Sequence, residues 1–444
     1  MEKTTYTYKQ IWKIAYPIFL TLLVQNLIQV IDTAFLGHVG EVELGASAIA
    51  GIYYIAIFTV AFGFSAGAQI LIGRRNGEEK FDKIGEIVFL GIAFLLIAAL
   101  LMFGLTRLYS APILGRLLHS EKVLTASLDY LDWRIWGLFF AVINVMFRAF
   151  FVGITQTKAL TYNAIAMAAT NVFFDYVLIF GHWGFPQMGI GGAALASVIS
   201  EAVSVIYFAI HLFFAVDLKK YGFLNFIWKN LNVIKNILDV SFSLMIQYFL
   251  SLSTWLIFFL MIERMGETTL AVSNIIRSFY MILGIPLFAL SATSSTLVSN
   301  IIGAGKQNEV MALIWKIARL SSSISFVTAL FLFLFPELTL RIYTSDPALI
   351  QGSITSLYVI LLVLMVLSVT NVLFQAVSGT GNTRSALLIE TLVLILYIAW
   401  MWLMAIHFKA PLAVCWTTEL VYALFIGFFS YIYFKRGKWQ NKKI

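Results

Sequence analysis

Charge is what this sequence has least of. Asp, Glu, Lys and Arg make up 12% of its 444 residues, against 61% hydrophobic residues and a mean hydropathy of +0.90. A soluble domain cannot hide that much apolar surface, so the chain reads as an integral membrane protein. Cysteine is reduced to Cys415, which excludes an internal disulfide. The five histidines (His38, His119, His182, His211 and His407) fall at span ends or in loops and do not cluster. No H-E-x-x-H, G-x-S-x-G or paired Asp-rich motif stands on a span, so an enzyme is not expected. The first apolar run follows Lys3, Lys9 and Lys13, is too long for a signal-peptide core and has no small-residue cleavage site. It reads as a retained first helix.

What is present is a series of apolar runs, each near the 20 or so residues that span about 30 Å of hydrocarbon. They fall at 14–36, 46–72, 84–106, 125–150, 158–181, 190–214, 234–262, 269–300, 309–336, 351–376, 384–406 and 411–434. Their continuous length predicts twelve transmembrane helices and excludes the short alternating strands of a membrane barrel. Placing the amino terminus in the cytoplasm puts 22 of the 30 Lys and Arg residues on that side, six outside, and Arg134 and Arg277 within or beside spans. This bias predicts a multi-pass inner (plasma) membrane protein with both termini cytoplasmic. It also accounts for the formal charge of +8 without a nucleic-acid partner.

The chain repeats itself at an offset of 226 residues. Gly40-Glu41-x-x-Leu44-x-x-Ser47 matches Gly266-Glu267-x-x-Leu270-x-x-Ser273, and Gly77-x-x-Lys80 matches Gly303-x-x-Lys306. Gly153-x-x-x-Thr157-Lys158 matches Gly379-x-x-x-Thr383-Arg384. Three matches at one offset argue for duplication. Six helices per copy predict two lobes, residues 1–215 and 234–444, related by a pseudo-two-fold axis along the membrane normal. The basic, aromatic segment 216–233 is expected to join them as an amphipathic linker on the cytoplasmic membrane surface, with a plain solvated linker as the competing reading.

Two acids stand where hydrocarbon tolerates them least: Asp32 in the first span, and Asp175 four residues after Asn171 in the fifth. A carboxylate at such a depth costs roughly 2.5–3.5 kcal/mol, so it normally faces a protein interior or a cavity. Asn171 and Asp175 share a helix face. Counting from Lys13 and Lys158 places the two acids within about 3 Å of the same depth, and Ser197 lies at a compatible level. Such an oxygen-rich group suits a hard cation, and paired acids suit a proton. Interfacial snorkelling or pairing with a nearby cation is the competing reading. The residues at offset 226 are Phe258 and Met401, so the second lobe has no equivalent pair.

Asp32-Thr33-Ala34-Phe35-Leu36-Gly37-His38, Gly153-x-x-x-Thr157-Lys158, Asn171-x-x-x-Asp175 and Gly189-Ile190-Gly191-Gly192-Ala193-Ala194-Leu195-Ala196-Ser197 together carry a resemblance. The whole chain resembles the multidrug and toxic compound extrusion (MATE) family, in particular its DinF-like prokaryotic branch. The resemblance implies an antiporter that exports amphipathic, cationic drugs or toxic compounds by alternating access, driven by H+ or Na+. It places Asp32, Asn171, Asp175 and, at the family's helix-six threonine, Ser197 on an amino-lobe coupling-ion site, with possible Na+ there. Gln25 falls on its lining, and Asn144 either borders the cavity or makes a helix–helix hydrogen bond. Carboxy-lobe acids of the NorM-like branch are not evident.

For Glu201, Glu390 and Glu419, pairing or interfacial placement outweighs coupling, as an ion-pair partner or snorkelling does for Arg134 and Arg277. The alternative function is a lipid-linked oligosaccharide flippase of the same superfamily, which would need cavity cations for a pyrophosphate. Expected partners are membrane lipid and a small amphipathic organic cation, with no cofactor besides the coupling cation and no obligatory protein partner.

Overall fold

The computed structural model describes residues 6–224, 231–441 and 444. It is built from helices, with no strand among the described residues. The first half contains α1 (Tyr8–Val39), α2 (Glu41–Gly77), α3 (Ile84–Leu117), α4 (Glu121–Arg134), α5 (Gly137–Gly153), α6 (Lys158–Phe180) and α7 (Gly189–Ala215). The second contains α8 (Leu231–Glu263), α9 (Glu267–Gly303), α10 (Val310–Leu334), the short α11 (Pro336–Leu340), α12 (Pro347–Gly379), α13 (Thr383–Trp402) and α14 (Leu412–Lys435). Eleven helices among the described residues are long and apolar enough to cross a membrane, and α4 with α5 forms a bent twelfth. The twelve expected spans coincide with these elements.

The duplication is written into the backbone. Adding 226 to the bounds of α2 gives those of α9, and adding it to the start of α4 and the end of α5 gives the bounds of α12. The tight turns repeat as well. Glu79 and Gly305 are left-handed (φ 59° and 73°), as are Thr155 and Gly381 (φ 62° and 83°). Glycine adopts that conformation freely, whereas Glu79 and Thr155 hold it at about 1–2 kcal/mol each.

One span departs from expectation. The fourth is broken at Ile135–Trp136, and its two segments bend by 53°. No proline causes this. The turn tightens instead, with Trp136 N donating to Trp133 O and Leu138 N to Ile135 O. Gly137 opens α5 because a Cβ there would overlap Arg134 Nη1 and Glu201 Oε2.

The chain divides into two compact units, residues 20–245 and residues 1–19 with 246–444. The first lies close to the expected amino-terminal lobe, except that α1 is divided after Phe19 and α8 after Met245. These breaks are themselves 226 residues apart. Packing explains both. The start of α1 buries Ile11, Ile14 and Ala15 in a cluster with Leu297, Val298, Ile314 and Val377. At the start of α8, the Ser241 hydroxyl donates to Phe64 O at 2.9 Å, and Gly63 and Gly67 leave room for Met245 and Ser241. Of the segment expected to be a linker, residues 216–224 and 231–233 are described, the latter as the opening of α8. Tyr221 and Phe223 are buried there against Phe150, and Gly85 N donates to Tyr221 O at 2.8 Å. Phe226, Ile227, Trp228 and Lys229 lie outside the described residues.

In residues 20–245 the close approach of α6 and α7 positions the polar groups described below. Gly192 lets it happen, since a Cβ there would stand 2.7 Å from the main-chain carbonyl carbon and oxygen of Leu178. Small residues at helix contacts allow backbones to pack this closely in membranes. Gly192→Val is therefore expected to destabilise the purified protein by about 1–3 kcal/mol, read as a lowered thermal midpoint in detergent. Gly37→Ala, at a position with nothing within 4 Å, is expected to leave it unchanged.

Candidate functional site

Asp32 lies on α1, and Asn171 and Asp175 lie on one face of α6. The structure brings the three together. The Asn171 amide, in the orientation its neighbours dictate, donates to Asp32 Oδ1 at 3.0 Å and Asp175 Oδ2 at 3.2 Å. Asn171 and Asp175 are fully buried and Asp32 is half-buried. The two carboxyls stand close enough to hydrogen-bond each other when one carries a proton. Asp175 Oδ1 has no N–H or O–H donor of its own. A buried acceptor left this way marks a place for a proton or a cation.

The remaining sequence candidates separate. Gln25 is exposed, two turns before Asp32 on α1. The Ser197 carbonyl accepts from the Ser200 hydroxyl at 2.8 Å, and no hydrogen bond joins its own hydroxyl to the aspartates. Asn144 makes the helix–helix bond: its Nδ2 donates to Glu201 O at 3.0 Å, and its Oδ1 accepts from the Ser204 hydroxyl at 2.9 Å.

Arg134 and Glu201 find each other. The guanidinium donates through Nη1 to Glu201 Oε2 at 3.0 Å and through Nη2 to Oε1 at 2.6 Å, a bidentate pair with side chains 12% and 13% exposed. Its Cζ lies 3.9 Å from the Tyr54 ring centroid. Removing one partner of a buried pair typically costs about 3–5 kcal/mol, because the other is left uncompensated. Tyr130, one turn before Arg134, stands among the charges of Asp32, Asp175, Arg134 and Glu201. Sequence reading passed over it because a tyrosine in an apolar run carries no signal of its own.

In residues 246–444, Glu390 and Glu419 are buried without a basic partner among their hydrogen-bond donors. Glu390 accepts from the Ser251 hydroxyl at 2.6 Å and from Tyr422. Glu419 accepts from Tyr397 at 2.8 Å, Trp255 Nε1 at 3.0 Å and Tyr280 at 3.3 Å. Both are therefore held by neutral donors. Arg277 lies over the Phe259 ring.

A cavity of about 1110 Å³ opens at the starts of α2, α4 and α7. Its lining includes Glu41, Glu43, Glu121 and Asp129 against Lys122. Clefts of one charge sign concentrate ions of the other.

The MatE family model matches residues 17–177 and 243–403, two segments again offset by 226. The chain is 25% identical over 440 residues to a probable multidrug resistance protein NorM of Thermotoga maritima, covering 98% of this chain and 94% of that one. A protein of the same name in Bacillus subtilis is 26% identical over 356 residues, covering 77% and 76%. Among solved structures, the fold matches a point mutant of the Vibrio cholerae MATE transporter VcmN, with TM-score 0.87, 18% identity and 98% of each chain covered. It also matches a MOP superfamily transporter from Pyrococcus furiosus, described as having a binding pocket of reverse polarity, with TM-score 0.87, 17% identity and full coverage of both. With both halves matched by the family model, the chain belongs to the MatE family of membrane transporters.

Proposed function

We propose that the chain is a cation-coupled antiporter that exports amphipathic organic cations, with Asp32, Asn171 and Asp175 as its coupling site and the proton as its coupling ion. One observation carries the reading: two carboxyls inside a membrane-spanning unit, bridged by a single amide and close enough to share a proton. Loading the pair removes a negative charge from the interior, and unloading restores it. A change of that size in a low-dielectric setting biases alternative packings of the surrounding helices, which is the basis of alternating access. The acidic cavity beside α4 favours delivery of cations. The relatives' names as multidrug resistance proteins support drugs as substrates. Lys and Arg bias supports an inner-membrane orientation with both termini cytoplasmic. A lipid-linked oligosaccharide flippase needs cations free to meet a pyrophosphate, and Arg134 is already engaged by Glu201.

The test is efflux of a fluorescent organic cation from proteoliposomes, driven separately by pH and sodium gradients. Wild type is expected to respond to the pH gradient, and Asp32→Asn to fall to the protein-free rate with an unchanged thermal midpoint. Full efflux by Asp32→Asn overturns the site, and efflux driven by sodium alone transfers the coupling role to sodium. Asn171→Leu removes donors that stabilise the unloaded carboxylates. A hydrogen bond to a charged group contributes about 1.5 kcal/mol, so half-maximal efflux should need about tenfold less coupling cation. Slower turnover should accompany the harder release.

A further inference from the structure

We propose that Glu390 is a second proton-binding site, built by Ser251, Tyr422 and Gln247 within residues 246–444. It does not depend on the role given to Asp32 and Asp175, which belong to the other compact unit.

Glu390, on α13, is 1% exposed and has no Lys, Arg or His among its hydrogen-bond partners in the described residues. Two hydroxyls from other helices meet it instead. Ser251 Oγ on α8 lies 2.6 Å from Oε1, and the Tyr422 hydroxyl on α14 lies 3.1 Å from Oε2 and 3.2 Å from Oε1. A hydroxyl can accept a hydrogen bond as well as donate one. The same partners therefore serve both the ionised carboxylate and the protonated acid. Glu419 differs. The Trp255 indole N–H, 3.0 Å from its Oε1, can only donate, so that oxygen is fixed as an acceptor.

Ser251 provides the means of switching. Its single hydroxyl hydrogen has two acceptors in reach, Glu390 Oε1 at 2.6 Å and the Gln247 main-chain oxygen at 3.0 Å. In the unloaded state the hydrogen bonds the carboxylate. A proton arriving on Oε1 forms a new O–H that donates to Ser251 Oγ, and the Ser251 hydrogen turns to Gln247 O. One proton is gained, the carboxylate charge is neutralised, no covalent bond breaks, and no heavy atom has to move. Gln247 adds an independent observation. It is 3% exposed, it sits one turn before Ser251 on the same face of α8, and its Oε1 has no donor. A buried acceptor without a donor, one turn from the hydroxyl that holds Glu390, adds to the local demand for a proton.

Charged groups stand back from this carboxyl. Tyr422 touches it from α14, and Glu419, one turn earlier on that helix, is bound to Tyr397 of α13 and Tyr280 of α9. Arg384 opens α13 six residues before Glu390, and on α8 Asp239 lies twelve residues before Ser251. Helix α12, packed against α13, carries no Asp, Glu, Lys, Arg or His. At offset 226, Ser251, Glu390 and Tyr422 correspond to Gln25, Ala164 and Ala196, so the set is present in one copy and absent as a whole from the other.

Infrared spectroscopy of the purified full chain in lipid, stepped between acidic and alkaline buffer, reads the C=O stretch of protonated carboxyls. Wild type is expected to show a band that fades reversibly as pH rises and is missing from Glu390→Gln, which should also take up about one proton fewer per molecule. Ser251→Ala should keep the band at a shifted frequency, because the acid has lost its hydroxyl partner. The band should persist in Asp32→Asn, so the aspartate reading and this one can fail separately. A spectrum unchanged by Glu390→Gln, or a Glu390 band that does not respond to pH, overturns the inference. Loss of the band on adding sodium at acidic pH overturns it too, by giving the site to a metal ion. If Glu390→Gln does not yield folded protein, Ser251→Ala decides, since an unshifted spectrum there also overturns the proposal.

Discussion

A charge enclosed by hydrocarbon must be neutralised by a partner, a proton or an ion, and the internal architecture of this protein follows from how each charge meets that requirement. Asp32 and Asp175 are bridged by the Asn171 amide, Arg134 and Glu201 close on each other, and Glu390 and Glu419 are surrounded by hydroxyls and an indole. These are three different solutions. The ion pair is complete within the protein, and the glutamates are met by neutral dipoles. Among these three, the aspartate pair retains a carboxylate oxygen, Asp175 Oδ1, with no donor beside it.

Duplication makes that distinction visible. Helix bounds, left-handed turns and the break between the two compact units all recur at 226 residues, so the backbone plan is common to both copies. The polar content is not. Phe258, Ile360 and Met401 pack where Asp32, Arg134 and Asp175 carry charge. At these positions one copy packs hydrophobic side chains where the other holds ionisable groups.

Much of this was legible in the sequence. Continuous apolar runs located every span, because a bilayer imposes a minimum length on any helix that crosses it. The i, i+4 spacing of Asn171 and Asp175, and equal depth for Asp32, foretold that these residues meet. The break at Ile135–Trp136 was not legible, since its apolar residues carry none of the usual proline signal. Nor was the pairing of Arg134 with Glu201, 67 residues apart, which depends on which helix faces pack. Ser197 lay at a compatible depth, yet depth does not fix rotation about a helix axis, and its hydroxyl makes no bond to the aspartates.

The division of α1 after Phe19 and of α8 after Met245 has a consequence for biosynthesis. Residues 1–19 leave the ribosome well before the segment with which they form a compact unit, which begins at Ile246. The compact unit of residues 20–245 likewise awaits the opening turns of the second repeat. Neither repeat, cut at its own boundary, contains all of the chain that its unit requires. The ancestral duplication therefore left two units whose boundaries fall inside the repeats, so neither is complete when the first repeat has been translated.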